Sequence, residues 1–202
     1  MPLAKFPPEV ERIFAAGGSM GALMREVDWA STPIGAPDSW PQSLRTAVSV
    51  CLESSFPMLV WWGPDFVKLY NDAYSSLIGN KHPQAMGQRG EDCWPEIWDE
   101  IGPMLTDVKA GRGATFSEDQ VMRLVRHGFL EECYFTFSFS PIRDESGGIG
   151  GVFTAATEST GRILGARRLG TLRAQLLELG VARPAEGRLC LRSGARADPG
   201  AA

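Results

Sequence analysis

The chain has 202 residues, of which 44% are hydrophobic and 22% charged, a composition typical of a soluble globular protein. Its formal net charge of −4 argues against nucleic acid as the main partner, because phosphate binding depends on clustered Lys and Arg. No apolar run approaches the ~20 residues of a membrane-spanning helix, and residues 1–16 lack the long apolar region of a secretory signal. We therefore expect a cytoplasmic protein with no membrane segment.

The cysteine and histidine content does not predict a metal site. None of the four cysteines forms a C-x-x-C pair, and His82 and His127 are the only histidines. We expect the cysteines to be reduced and mostly buried. They are Cys51, Cys93, Cys133 and Cys190.

The first 55 residues predict a helical extension. A short helix is expected from Pro7-Pro8 to Gly17-Gly18, with a second short helix and a turn-rich segment over 21–38. A longer helix follows, with Asp38 or Ser39 as its expected cap and Pro41 in its first turn. Apolar residues then recur with helical spacing on one face. They are Leu44, Ala47, Val48, Cys51 and Leu52.

The middle of the chain predicts a hairpin and then helices. Two short apolar runs, 57–62 and 66–70, flank a Gly-Pro-Asp turn. Asn71-Asp72 is expected to cap a short helix over 73–78. After a loop, Pro95 is expected to open another helix, whose acidic residues Glu96, Asp99 and Glu100 predict a solvated face.

The last part of the fold predicts three strands, 115–125, 131–140 and 151–157, joined by turns. The second alternates clearly, with Cys133, Phe135, Phe137 and Phe139 on one face. Together with the first hairpin, this order predicts an α+β fold with a single five-stranded antiparallel sheet. The order of strands in the sheet does not follow from one sequence.

A leucine-rich helix is predicted from Gly161 onward. Leu169, Leu172, Leu176 and Leu179 have the 3-4-3 spacing of a heptad seam, over about two heptads. The residues after 180 lack periodicity and predict disorder. We therefore divide the chain into a helical extension (1–55), a core (56–158), a signalling or coiled-coil helix (159–180) and a disordered tail (181–202).

Several local strings, in this order, resemble the PAS domain family, and especially the PAS sensor modules of bacterial histidine kinases. The resemblance covers roughly residues 20–175. The strings that carry it include Trp40-Pro41-Gln42-Ser43-Leu44-Arg45, Trp61-Trp62-Gly63-Pro64, Tyr70-Asn71-Asp72-Ala73-Tyr74, Trp94-Pro95-Glu96-Ile97-Trp98 and Ser140-Pro141-Ile142-Arg143-Asp144.

The resemblance implies a PAS-like five-stranded antiparallel sheet with flanking short helices, an N-terminal helix and a C-terminal exit helix. It also implies a sensory or regulatory role in two-component signal transduction. The segment Glu158-Ser159-Thr160-Gly161-Arg162 matches the family's Asp-Ile-Thr-x-Arg exit motif at the acid, at Thr160 and at Arg162. These three residues are our signal-relay candidates, while Ser159 and Gly161 depart from the motif.

Aromatic residues on the predicted sheet and helices are candidates for a ligand pocket, although such residues more often fill a core. The candidates are Trp61, Tyr70, Tyr74, Trp98, Phe135 and Phe137.

We expect no catalysis by this chain. A sensor kinase needs a phosphorylated His on a helix and a separate ATP-binding domain, whereas His82 lies in a predicted loop and His127 in a turn. The expected partners are a second copy of the chain and a kinase or phosphatase output domain or chain.

We expect no cofactor, and the alternative hypothesis is a PAS sensor that binds flavin or haem. Gly90-Glu91-Asp92-Cys93 is weakly similar to the flavin-bonding cysteine string of LOV domains, although Trp94-Pro95-Glu96 replaces the rest of that string. Haem would need His82 or His127 as its iron ligand.

Overall fold

Five antiparallel strands form the sheet at the centre of the computed structural model, which describes residues 6–179. The strands are β1 (Met58–Trp62), β2 (Val67–Tyr70), β3 (Thr115–Val125), β4 (Leu130–Arg143) and β5 (Ile149–Glu158). Their spatial order is β2-β1-β5-β4-β3. The sheet confirms the predicted α+β PAS-like fold and adds the order, in which the last strand lies between the two hairpins.

Helices precede, interrupt and follow the strands. They are α1 (Pro8–Ala16), α2 (Gly18–Glu26), α3 (Gln42–Glu53), α4 (Asp72–Ile78), α5 (Gly90–Cys93), α6 (Trp98–Lys109) and α7 (Thr160–Glu178). Short 3-10 turns cover Trp29–Ser31, Pro37–Ser39 and Gly79–Lys81. None of the helices within residues 6–179 combines the length and apolarity needed to cross a membrane.

The two faces of the sheet are covered by different helices. Thr154 and Ala156 of β5 and the phenylalanines of β4 lie on the face covered by α6, which contacts both strands. Because side chains alternate along a strand, Val60 and Leu69 lie on the other face, where α3 contacts β1 and β2. Both faces are therefore buried, which explains the dense apolar content of β1 and β2.

The apolar stripe predicted for α3 is buried along its whole length. Its predicted cap was wrong, because Asp38 and Ser39 lie in the 3-10 turn that precedes the helix. Glu145, in the turn between β4 and β5, instead accepts the Ser43 backbone N–H at 2.7 Å and the Ser43 hydroxyl at 2.9 Å. The free N–H groups of a helix start need an acceptor, and here a distant turn supplies one.

The predicted cap of α4 is confirmed. The Asn71 side chain accepts the Tyr74 N–H at 3.0 Å, and it also accepts the Met58 N–H at 3.0 Å. Its amide group donates to the carbonyls of Ser54 and Phe56. One buried side chain thus joins the start of α4 to the start of β1 and to the segment after α3.

The described residues fall into two units, which divide after Ile163. The first unit contains the sheet, α1–α6 and the first residues of α7. The second contains the rest of α7, whose leucines are exposed, with Leu169 at 70% and Leu172 at 55%. The predicted disordered tail, 181–202, lies outside the described residues.

Candidate functional site

A small cavity of about 50 Å³ lies between the helices and the face of the sheet that α6 covers. Thr154 contributes the only hydroxyl among the side chains that line it, and that hydroxyl already accepts the Trp61 Nε1–H at 2.8 Å. The lining is therefore almost wholly apolar, and an apolar cavity of this kind stays dry. The lining residues are Leu77, Trp94, Ile97, Ile101, Met122, Leu124, Phe135, Phe137, Phe139, Thr154 and Ala156.

The six pocket candidates from the sequence occupy different places. Phe135 and Phe137 line the cavity. Trp61 lies behind Thr154, to which it donates its hydrogen bond. Tyr70 and Tyr74 pack elsewhere in the core, and Trp98 is partly buried against it. Tyr70 bonds His82 Nδ1 at 3.0 Å and lies beside Tyr74, while Trp98 packs on Phe66. Their contact with a ligand stays a prediction.

Beside the cavity, the last residue of β5 is held by a buried arginine. Both Glu158 carboxylate oxygens accept hydrogen bonds from Arg126, at 2.7 and 2.8 Å. Arg126 is 7% exposed and also donates to the Leu77 carbonyl at the end of α4. The hydrogen bonds from Arg126 lower the pKa of Glu158. This pair ties the ends of β3, β5 and α4 together.

Thr160 continues the contact into the first turn of α7. Its hydroxyl donates to Glu158 at 2.8 Å and accepts the Tyr134 N–H at 2.9 Å. The Ser159 N–H donates to the Tyr134 carbonyl at 2.7 Å. The residues that leave β5 are therefore bonded to β4 as well.

A third contact joins α7 to the edge strand β3. Asp119 lies in the irregular part of β3 between Ser117 and Gln120 and has a positive φ of 50°. Its carboxylate accepts the Ser159 hydroxyl at 2.6 Å and Arg162 at 2.7 Å. The hydrogen bonds from Ser159 and then Arg162 lower the pKa of Asp119.

We call this set of contacts the exit clamp: Glu158 with Arg126, Thr160 with Tyr134, and Asp119 with Ser159 and Arg162. All three relay candidates belong to it. Ser159, a departure from the family motif, supplies one of its hydroxyls.

The sequence did not identify the sheet side of the clamp. Arg126 lies 32 residues before Glu158, and Asp119 lies 43 residues before Arg162. Strand register brings these pairs together, and register was not predictable. In the sequence itself, these residues are recognisable only as ionisable residues, Arg126 at the end of a predicted strand and Asp119 within one.

The predicted solvated acidic face was wrong for Glu96. That residue precedes α6, which begins at Trp98 and not at Pro95, and its side chain is only 14% exposed. It pairs with Lys81 at 2.9 Å and accepts the Val125 N–H at 2.8 Å. Asp99 and Glu100 are exposed as expected.

The cavity and its surroundings do not fit flavin or haem. Its volume is far below the roughly 300–1,000 Å³ of sites for such groups. Cys93, His82 and His127 do not line it; His82 bonds Tyr70, and His127 bonds Glu131 on an exposed turn. Across residues 6–179, no cluster of His, Cys, Asp and Glu has the composition of a metal site.

Residues 52–163 match the family model of the PAS fold, which is more than half of the chain. The chain belongs to the PAS fold family. It is therefore a sensory domain, of a class that is generally non-catalytic. No curated protein sequence matches the chain.

Solved structures similar to the chain include a LOV protein, a PAS domain and a sensor histidine kinase. A LOV protein from Rhodobacter sphaeroides is 14% identical, with a TM-score of 0.46, covering 71% of this chain and 84% of that one. The PAS domain of BvgS from Bordetella pertussis is 23% identical, with a TM-score of 0.42 and coverages of 60% and 89%. A sensory box sensor histidine kinase from Vibrio cholerae is 19% identical, with a TM-score of 0.39 and coverages of 52% and 78%.

Proposed function

We propose that this PAS domain is the input module of a two-component signalling system, acting on a kinase or phosphatase output domain or chain. Binding of a ligand or partner at the core changes the start of α7, and α7 passes the change onward. The exit clamp is the observation that carries this proposal. Its side-chain hydrogen bonds connect the first turn of α7 to three strands, β3, β4 and β5.

Strand β5 provides the physical link from cavity to clamp. Thr154 and Ala156 line the cavity, and Glu158 lies two residues further along the same strand. A ligand that displaces this strand must change the Glu158–Arg126 geometry. It shifts the equilibrium only by its differential affinity for the two arrangements. The apolar lining favours a small apolar ligand. Among the candidates from the sequence, Phe135 and Phe137 are the residues that such a ligand would contact.

Paired exit helices would carry the signal further. The seam leucines Leu169, Leu172, Leu176 and Leu179 are all exposed within the second unit, at 43–74%. A helix with such a stripe buries it by pairing with a second helix. We propose that the pairing partner is a second copy of the chain, which gives a homodimer.

A chimera tests the proposal. The chain up to residue 179 is joined, in heptad register, to the phosphorylating core of a histidine kinase, and autophosphorylation is measured. Glu158→Gln removes the charge that pairs with Arg126, so we expect the kinase level to differ from that of the parent chimera. Glu118→Gln is the matched control, because Glu118 is exposed on the same strand as Asp119. Equal activity in all three chimeras would refute coupling through the clamp.

A further inference from the structure

Lys68 is a buried amine without a bonding partner. It lies on β2, opposite Trp61, and is 0% exposed. Its Nζ has no hydrogen-bond partner among the described residues and lies 5.3 Å from the centre of the Trp94 ring. Burial, reinforced by the nearby charge of Lys81, lowers the pKa of Lys68. An unpaired ammonium is costly in such a site, so burial works against the charged form of the amine.

Cys93 is brought against this amine by the edge of the sheet. The Lys68 N–H donates to the Gln88 carbonyl at 3.0 Å, and the Gly87 N–H donates to the Lys68 carbonyl at 2.9 Å. The chain then turns through α5, which ends at Cys93. The thiol is 3% exposed, and the ring of Trp94, the next residue, has its centre 5.3 Å from Lys68 Nζ. The interaction of Cys93 with Lys68 opposes the effect of burial by raising the pKa of the amine.

The other polar groups around Lys68 are already committed. Lys81 donates to the Cys93 carbonyl at 2.6 Å and pairs with Glu96. The cavity described above is not lined by Lys68 or Cys93. Glu91 and Asp92 on the same helical turn as Cys93 are exposed, so this turn lies at the surface and a small oxidant has only a short distance to cross.

We propose that Lys68 and Cys93 form a covalent sulfur–nitrogen crosslink when the protein meets hydrogen peroxide. In the first step the peroxide O–O bond breaks, one oxygen is transferred to Sγ, and water leaves; sulfur is oxidised to the sulfenic acid and peroxide is reduced. In the second step the Nζ lone pair attacks Sγ. The S–O bond breaks, and the leaving hydroxide takes a proton from the amine to give a second water.

Desolvation and a neighbouring cation are two features that make a lysine amine nucleophilic. Lys68 has both, because it is 0% exposed and shares the Trp94 ring with Lys81, whose Nζ lies 4.6 Å from the ring centre. The other described cysteines lack such a neighbour. Cys51 is surrounded by backbone carbonyls, and burial raises its pKa to about 12. Cys133 lies beside Arg126, whose guanidinium donates to its sulfur at 3.3 Å. The crosslink needs only the Lys68–Cys93 pair, so it stands whether or not α7 relays a signal.

Peptide mass spectrometry of the peroxide-treated full chain tests the crosslink. A bridged Lys68 resists trypsin, so we expect fragment 46–81 joined to fragment 90–109, lighter than their sum by two hydrogen atoms. Dithiothreitol should release the two fragments. Lys68→Met and Cys93→Ser should each abolish the joined species, while Cys51→Ser should retain it.

Circular dichroism of each variant checks that it is folded, and Lys68→Met replaces the amine with an apolar side chain of similar length. The proposal is overturned if folded wild-type protein keeps a free Cys93 thiol after treatment. It is equally overturned if Cys93 proceeds to sulfinic or sulfonic acid while Lys68 remains cleavable by trypsin.

Discussion

Two carboxylates hold the first turn of α7, and their surroundings differ. Glu158 faces Arg126, which is 7% exposed and keeps its charge away from water. Asp119 faces Arg162, which is 63% exposed. Exposed ion pairs contribute little, whereas a charge left unpaired in a buried site is costly. Glu158 is therefore the residue on which the stability of the clamp mainly depends.

Glu158→Gln should lower the free energy of unfolding by about 2 kcal/mol near neutral pH, since it removes the two short carboxylate contacts of Arg126 and leaves only the longer one, to Glu131 at 3.4 Å. The folded-state pKa of Glu158 is lowered, so the pair stabilises the fold fully above its unfolded-state pKa of about 4.3. That stabilisation is lost as the pH falls through the folded-state pKa.

Urea unfolding of wild type and variant across this pH range measures the effect. The difference between them should shrink toward zero in acid, and Glu118→Gln should show none at any pH. A difference that stays constant with pH would mean that the pair is not the cause.

At the scale of elements, Asn71 joins more segments than any sequence pattern indicated. The Asn-Asp string predicted a cap for α4, and that cap is present. The same side chain also bonds backbone groups of Met58, Ser54 and Phe56. Those contacts were not predictable, because they depend on how the segment after α3 meets β2.

Asn71→Ala should destabilise the fold by about 3 kcal/mol, because it leaves several buried backbone groups without partners. Thermal or urea unfolding measures the loss. Asn80→Ala is the matched control and should change stability by less than about 0.5 kcal/mol. Similar losses in the two variants would contradict the bracing role of Asn71.

The exit helix makes a separate prediction. Leu172→Glu places a charge in the proposed seam and should convert the dimer to a monomer, as measured by size-exclusion chromatography with light scattering. Leu177→Glu is the control, since Leu177 is exposed on the same helix but lies outside the 3-4-3 spacing. A wild-type chain that stays monomeric at high concentration would remove the homodimer from the proposal.

At the scale of the whole molecule, local patterns predicted the elements and long-range contacts decided how they meet. The alternation from Cys133 to Phe139 and the stripe of α3 were sufficient to predict buried faces. The strand order, the cap that Glu145 provides 102 residues from Ser43, and the Arg126–Glu158 pair depend on register between distant segments. Phe135 and Phe137 show why the candidate site could be predicted only in part. Aromatic residues that fill a core and those that line a pocket have the same pattern in a sequence.

The central claim is that a change in the cavity reaches the start of α7. Ala156→Val adds two methyl groups to a cavity-lining residue and imitates a bound apolar ligand. Ala155→Val is the matched control on the adjacent residue, whose side chain lies on the opposite face of β5.

Hydrogen exchange of the amides in 158–163 tests this claim most directly, with thermal unfolding to show that both variants are folded. We expect exchange in this segment to change in Ala156→Val and to match wild type in Ala155→Val. Wild-type exchange across 158–163 in a folded Ala156→Val protein would contradict the account.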